Sequence, residues 1–130
     1  MEILVSQEQG RVPVTVFKVK GNIDSATYQQ LAAQARQAFE GGMKNLLLDL
    51  SEAPYVSSAG IRALNDMILM LKTSAESDDA MNKGIADGTF KSPHVKLLNP
   101  NRNVAEVLRL AGMDMLLEVH QDYRHAIASF

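Results

Sequence analysis

Cysteine is missing from the chain. Disulfides and thiolate chemistry are therefore excluded, and a reducing compartment is allowed. An excess of charge of one sign is missing too: 13 basic and 15 acidic side chains leave a formal charge of −2. That balance argues against nucleic acid as the main partner, because phosphate binding needs a basic face. No apolar run approaches the roughly 20 residues of a membrane span. The first residues, Met1 to Gln7, lack the basic region of a signal peptide. A cytoplasmic protein is expected. Neither a phosphate-binding glycine loop nor a Gly-x-Ser-x-Gly elbow occurs. Apolar residues make up 46% of the 130, enough for the core of one domain spanning 1–130.

The order of elements is α/β. Residues 2–6 and 12–20 are rich in β-formers and read as strands. The alternation changes phase between Val16 and Phe17, which predicts a bulge or burial on both faces. Tyr28, Leu31, Ala35 and Phe39 share one face of a helix. Asp24 or Ser25 is placed to cap it, and Gly41-Gly42 to stop it. Leu46-Leu47-Leu48 lies in a strand over 44–50, and an unbroken apolar run predicts cover on both faces. A helix over 58–72 follows, with a second apolar stripe through Ala63, Met67 and Met70. Residues 73–93 are polar and acidic and read as a loop insertion. Val95 to Leu98 form a strand. Asn103 with Glu106 has the pattern of a capping box. A short strand over 114–119 and a helix over 121–130 complete the chain. Alternation of this kind predicts a sandwich with a mostly parallel sheet, whose sites lie beyond the carboxyl ends of the strands.

Residues 46–62 carry the most information. A strand ends in polar residues, a short loop follows, and Ser57-Ser58 opens a helix. A phosphoryl group on Ser58 would meet the free N–H groups and the positive end of that helix. Asn22, Asp24 and Asp49 are expected at the same edge, with Gly60, Ile61 and Arg62 just inside the helix. Asp49 is expected to accept backbone N–H bonds from the loop after it. Either serine is equally explained as a helix cap.

Three segments resemble the anti-sigma factor antagonists, the bacterial branch of the STAS domain. They are Gly21-Asn22-Ile23-Asp24; Leu48-Asp49-Leu50-Ser51 with Val56-Ser57-Ser58-Ala59-Gly60-Ile61; and Asn99-Pro100 through Val107-Leu108 to Ala111-Gly112-Met113. The resemblance implies a STAS-like sandwich: a mixed sheet of four or five strands with about four helices. It implies a non-enzymatic, cofactor-free protein in a partner-switching pathway of transcription regulation. The unphosphorylated domain would bind an anti-sigma factor that is also a serine kinase. Phosphorylation would release it, and a protein serine phosphatase would reset it. By motif the acceptor is Ser58, with Ser57 as second candidate. Ser57 stands where the family often has an aspartate, and Ala59 where it often has a serine. Partner contacts are expected from Asn22, Asp24, Asp49, Ser57, Gly60, Ile61 and Arg62. Neither nucleic acid nor membrane is an expected partner, and room is left for a weak homodimer.

Two other readings compete. A serine hydrolase would need His94, His120 or His125 as base near Ser58, and the spacing offers no such proximity. The spacing of His120 and His125 is also poor for a metal on one helical face. The nearer alternative is a constitutive STAS module, serving as an accessory subunit of a signalling or transport complex.

Overall fold

The computed structural model describes residues 1–71 and 91–130. Its elements in chain order are β1 (Glu2–Gln9), β2 (Pro13–Lys20), α1 (Tyr28–Glu40), β3 (Leu46–Glu52), α2 (Ser58–Met70), β4 (Val95–Leu98), α3 (Arg102–Leu110), a 3-10 turn (Met113–Met115), β5 (Glu118–His120) and α4 (Tyr123–Ala128). The strands form one five-stranded sheet in the order β1-β2-β3-β4-β5. β1 is antiparallel to β2, and all later pairings are parallel. The mixed α/β sandwich expected from the sequence is what the chain forms. The acidic insertion at about 73–93 lies mostly outside the described residues. At its end Ser92 is buried, and its Oγ accepts from the N–H groups of His94 and Val95 at the start of β4.

Strand order follows chain order, so right-handed crossovers carry α1, α2 and α3 to one face of the sheet. There Phe17, Leu46, Leu48, Leu50 and Leu97 meet Leu31, Leu64, Met67 and Leu108. On the other face Val14, Val16, Leu47 and Leu98 lie under Ala126 and Ile127 of α4. This explains the unbroken Leu46-Leu47-Leu48 run and the phase change at Val16-Phe17: both strands are covered on both faces. The register shift in β2 comes later, between Lys18 and Lys20. Of the second stripe on α2, Ala63 and Met67 are buried and Met70 is half-buried.

Several element ends depart from the local sequence signals. The cap of α3 is Asn101, whose Oδ1 accepts from Val104 N–H at 2.7 Å. Asn103 lies inside the first turn, and Glu106 pairs with Arg109 instead of reaching back. The N-cap of α1 is Thr27 and makes no side-chain cap bond. Asp24 closes the preceding turn, its Oδ1 accepting from Ala26 N–H at 2.9 Å. The first half of the expected 114–119 strand is the 3-10 turn, entered through Gly112 at φ 75°. A left-handed residue there ends α3 at little steric cost only because it is glycine. α4 starts at Tyr123 under an Asp122 cap, with Asp122 Oδ1 accepting from His125 N–H at 2.7 Å.

The end of α4 is fastened by a buried ammonium. Lys96 in β4 is 3% exposed, and its Nζ donates to Ser129 O at 2.7 Å and to Ser129 Oγ at 3.0 Å. The same Nζ pairs with Glu118 Oε2 at 3.2 Å and lies 4.8 Å from the centroid of the Phe130 ring. Burial pushes the Glu118 carboxyl up, but the hydrogen bond and charge of Lys96, with His120 beside them, outweigh it and hold the group below its ordinary range.

Candidate functional site

The site forms where β2 and β3 end side by side. Beyond the strands, Ile23 and Val56 make an isolated parallel bridge. Ile23 N–H donates to Tyr55 O at 2.9 Å, and Ser57 N–H donates to Ile23 O at 2.8 Å. These bonds tie the loop before α1 to the loop before α2. Segments far apart in sequence thereby share one edge.

Ser57 is the N-cap residue of α2 and has the extended backbone of a cap (φ −90°, ψ 179°), yet its side chain makes no cap bond. Its Oγ turns inward, is sealed from solvent and has no hydrogen-bond partner among the described residues. Such a hydroxyl costs about 1–3 kcal/mol. Ser58 opens the helix and is exposed. It therefore sits at the positive end of a helix that Ser57 leaves uncapped. A shallow apolar groove borders it, lined by Ile61 on α2 and by Val107, Leu110 and Ala111 at the end of α3. Leu110 is 72% exposed.

Gly60 is buried in the first turn of α2. A Cβ there would stand 2.7 Å from Ile23 O and 2.8 Å from Val56 Cγ1. The missing side chain lets the helix start against the Ile23–Val56 bridge, so this glycine serves packing. Gly60→Ala is predicted to destabilise the fold by about 1–3 kcal/mol, since backbone as well as side chains must yield. Urea unfolding measures it, and an unchanged midpoint would show that the loop gives way freely.

Asn22 is exposed and Asp24 half-buried. Thr27 holds their loop: its Oγ1 donates to Asn22 O at 2.7 Å and accepts from Asp24 N–H at 3.0 Å. Arg62 is exposed and has no ion-pair partner among the described residues. Asp49 is not brought to this cluster. Strand alternation places it with Leu47 on the α4 face, across the sheet from α2. There its Oδ1 accepts from Ser51 N–H at 3.0 Å, the loop-holding bond expected of it. The histidines lie elsewhere as well. His94 precedes β4 at the opposite pole, its Nδ1 2.9 Å from Asn45 Oδ1. His120 and His125 pack edge to face, their centroids 5.5 Å apart, on the α4 side.

Sequence reading missed the contribution of α3. Val107, Leu110 and Ala111 reach Ser58 only because β4 lies next to β3 and brings α3 alongside α2. One signal was available: Leu110 falls off the inward stripe of Val104, Val107 and Leu108. A single exposed leucine is ordinary on a protein surface, and only its place beside Ile61, Val107 and Ala111 makes it part of an apolar patch.

The sequence profile of the STAS domain matches residues 4–76, more than half of the chain and both loops of the site. The chain belongs to the STAS domain family. Solved structures agree on the fold. This STAS chain is similar to an anti-sigma factor antagonist from Mycobacterium paratuberculosis, with a TM-score of 0.75 at 18% identity over 98% of this chain and 92% of that one. It is similar to the anti-sigma factor antagonist SpoIIAA in its unphosphorylated form, with a TM-score of 0.59 at 14% identity over 96% and 92% of the two chains. The Bacillus cell fate determinant SpoIIAA in the phosphorylated form gives a TM-score of 0.62 at 16% identity over 97% and 96%. No curated protein matches the STAS chain in sequence. No helix among its described residues is long and apolar enough to cross a membrane.

Proposed function

We propose that the whole chain, 1–130, is one STAS domain acting as a cytoplasmic anti-sigma factor antagonist, a switch without catalytic activity of its own. Ser58 is its phosphate acceptor. The observation that carries the reading is the contrast between the two serines. Ser58 is exposed at the first position of an uncapped helix, while the Oγ of Ser57 is sealed. A kinase can reach one hydroxyl and not the other. A relative of the same fold in a phosphorylated form adds support.

The unphosphorylated face binds an anti-sigma factor that is also a serine kinase. Asn22, Asp24, Ile61 and Arg62 border the contact, and the groove beside Leu110 gives it apolar area. The domain supplies only the acceptor hydroxyl; the base and the magnesium ligands come from the kinase. The phosphate adds about −1.5 to −2 charges. The helix end tolerates it, with a favourable dipole contribution of about 0.3–1 kcal/mol. A phosphatase removes it and restores binding.

Incubation with the kinase and ATP is expected to add one phosphate, and Ser58→Ala to abolish it. Intact-mass measurement reads the count. The same phosphate on the Ser58→Ala protein would overturn the assignment, and a phosphate then mapped to Ser57 would show that the loop opens to expose it.

A further inference from the structure

Helices α1 and α2 each follow a strand of the parallel set, so they run in the same direction. A groove lies between them, lined by Ala32, Arg36 and Phe39 of α1 and by Asp66, Leu69 and Met70 of α2. Its apolar strip is open: Phe39 is 42% exposed and Leu69 48%. Neither Arg36 nor Asp66 has an ion-pair partner among the described residues. The two lie on opposite walls of the groove. Counting from Tyr28 and from Ser58, each is the ninth residue of its helix, and Phe39 and Leu69 are each the twelfth.

We propose that this groove is the face on which two copies of the chain pair. A patch with one charge of each sign on either side of an apolar strip is complementary to itself under a twofold rotation. With the axis parallel to the helices, α1 of one copy lies over α2 of the other, and heights along the helices are kept. Arg36 of each copy meets Asp66 of the other, so the ion pair forms twice. Phe39 and Leu69 meet one turn further on. A foreign partner gives no reason for opposite charges at equal positions along two parallel helices, whereas pairing with a second copy uses both. The operation also leaves both Ser58 hydroxyls at the same end of the pair.

Sedimentation equilibrium of the full chain tests the proposal. A reversible monomer–dimer equilibrium is expected. Arg36→Glu and Asp66→Arg, which place like charges across the face, are each expected to weaken it at least about tenfold. The double exchange, Arg36→Glu with Asp66→Arg, is expected to restore it, because the pairs re-form with their signs reversed. Circular dichroism checks that each variant is folded. A chain that stays monomeric to about 1 mM overturns the proposal, as does a single exchange without effect or a double exchange without rescue.

Discussion

Ser58→Asp is expected to lower affinity for the anti-sigma partner at least tenfold while leaving the melting temperature close to wild type. Both halves follow from where the hydroxyl sits. Ser58 is exposed at the start of α2, so an added carboxylate faces water and the helix N-terminus in the free protein. The dipole favours it by a few tenths of a kcal/mol, up to about 1. Nothing in the free fold has to move. In the complex the same group is desolvated against a surface built for a neutral hydroxyl, and Asp24 nearby adds negative potential. An uncompensated buried charge costs several kcal/mol, and every 1.4 kcal/mol is about tenfold in affinity. The phosphate, with more charge, is expected to reach about a thousandfold. Titration calorimetry against the partner and a thermal melt of the free domain measure the two halves. Equal binding by the variant would defeat the electrostatic account; a large fall in melting temperature would mean that the fold itself is the switch.

Lys96→Met is expected to destabilise the domain by about 2–4 kcal/mol, roughly 10 °C in melting temperature for a chain of this size. Methionine fills the space of the lysine stem but cannot donate. Ser129 O and Oγ lose their donor, and Glu118 loses its cation. Removing one partner of a buried pair costs more than the pair contributes, because the other is left unpaired. Glu118 is 39% exposed and keeps water and His120, which holds the loss below the upper end for a fully buried pair. The variant should also respond differently to acid. The Glu118 carboxyl titrates below its ordinary range in the fold. Its contribution is therefore fully present above the unfolded-state pKa, and it is lost as pH falls through the folded one, below roughly pH 4. Without Lys96 that part of the acid sensitivity should shrink. Urea unfolding at neutral and acid pH measures both effects; a loss under about 1 kcal/mol would show that the latch contributes little net stability.

Much of the site was legible because it is local. Ser58 follows a strand and a short loop and opens a helix, and those relations are written in neighbouring residues. The bond from Asp49 to the N–H of Ser51 is equally local. Errors arose where two local readings competed and packing chose. Asn101 and Asn103 both have the chemistry of a cap. Asn101 also donates to Pro54 O at 3.2 Å, across to the loop before α2, and the helix begins there. Asp49 and Ser58 looked like neighbours because both sit near the end of one strand–loop–helix unit. Strand alternation sends Asp49 to the other face, and a carboxyl-edge argument does not carry that parity.

By itself the sequence determined the kind of layers, the strand and helix order and the serine at a helix start, because periodicity, turn residues and motif spacing act over a few residues. Tertiary structure alone decided which serine hydroxyl meets solvent, that Gly60 exists to clear Ile23 and Val56, that Leu110 stands beside Ser58, and that α1 and α2 leave a groove with Arg36 on one wall and Asp66 on the other. Each of these depends on how close two distant segments come. That distance is fixed by the packing of the whole sheet and its helices.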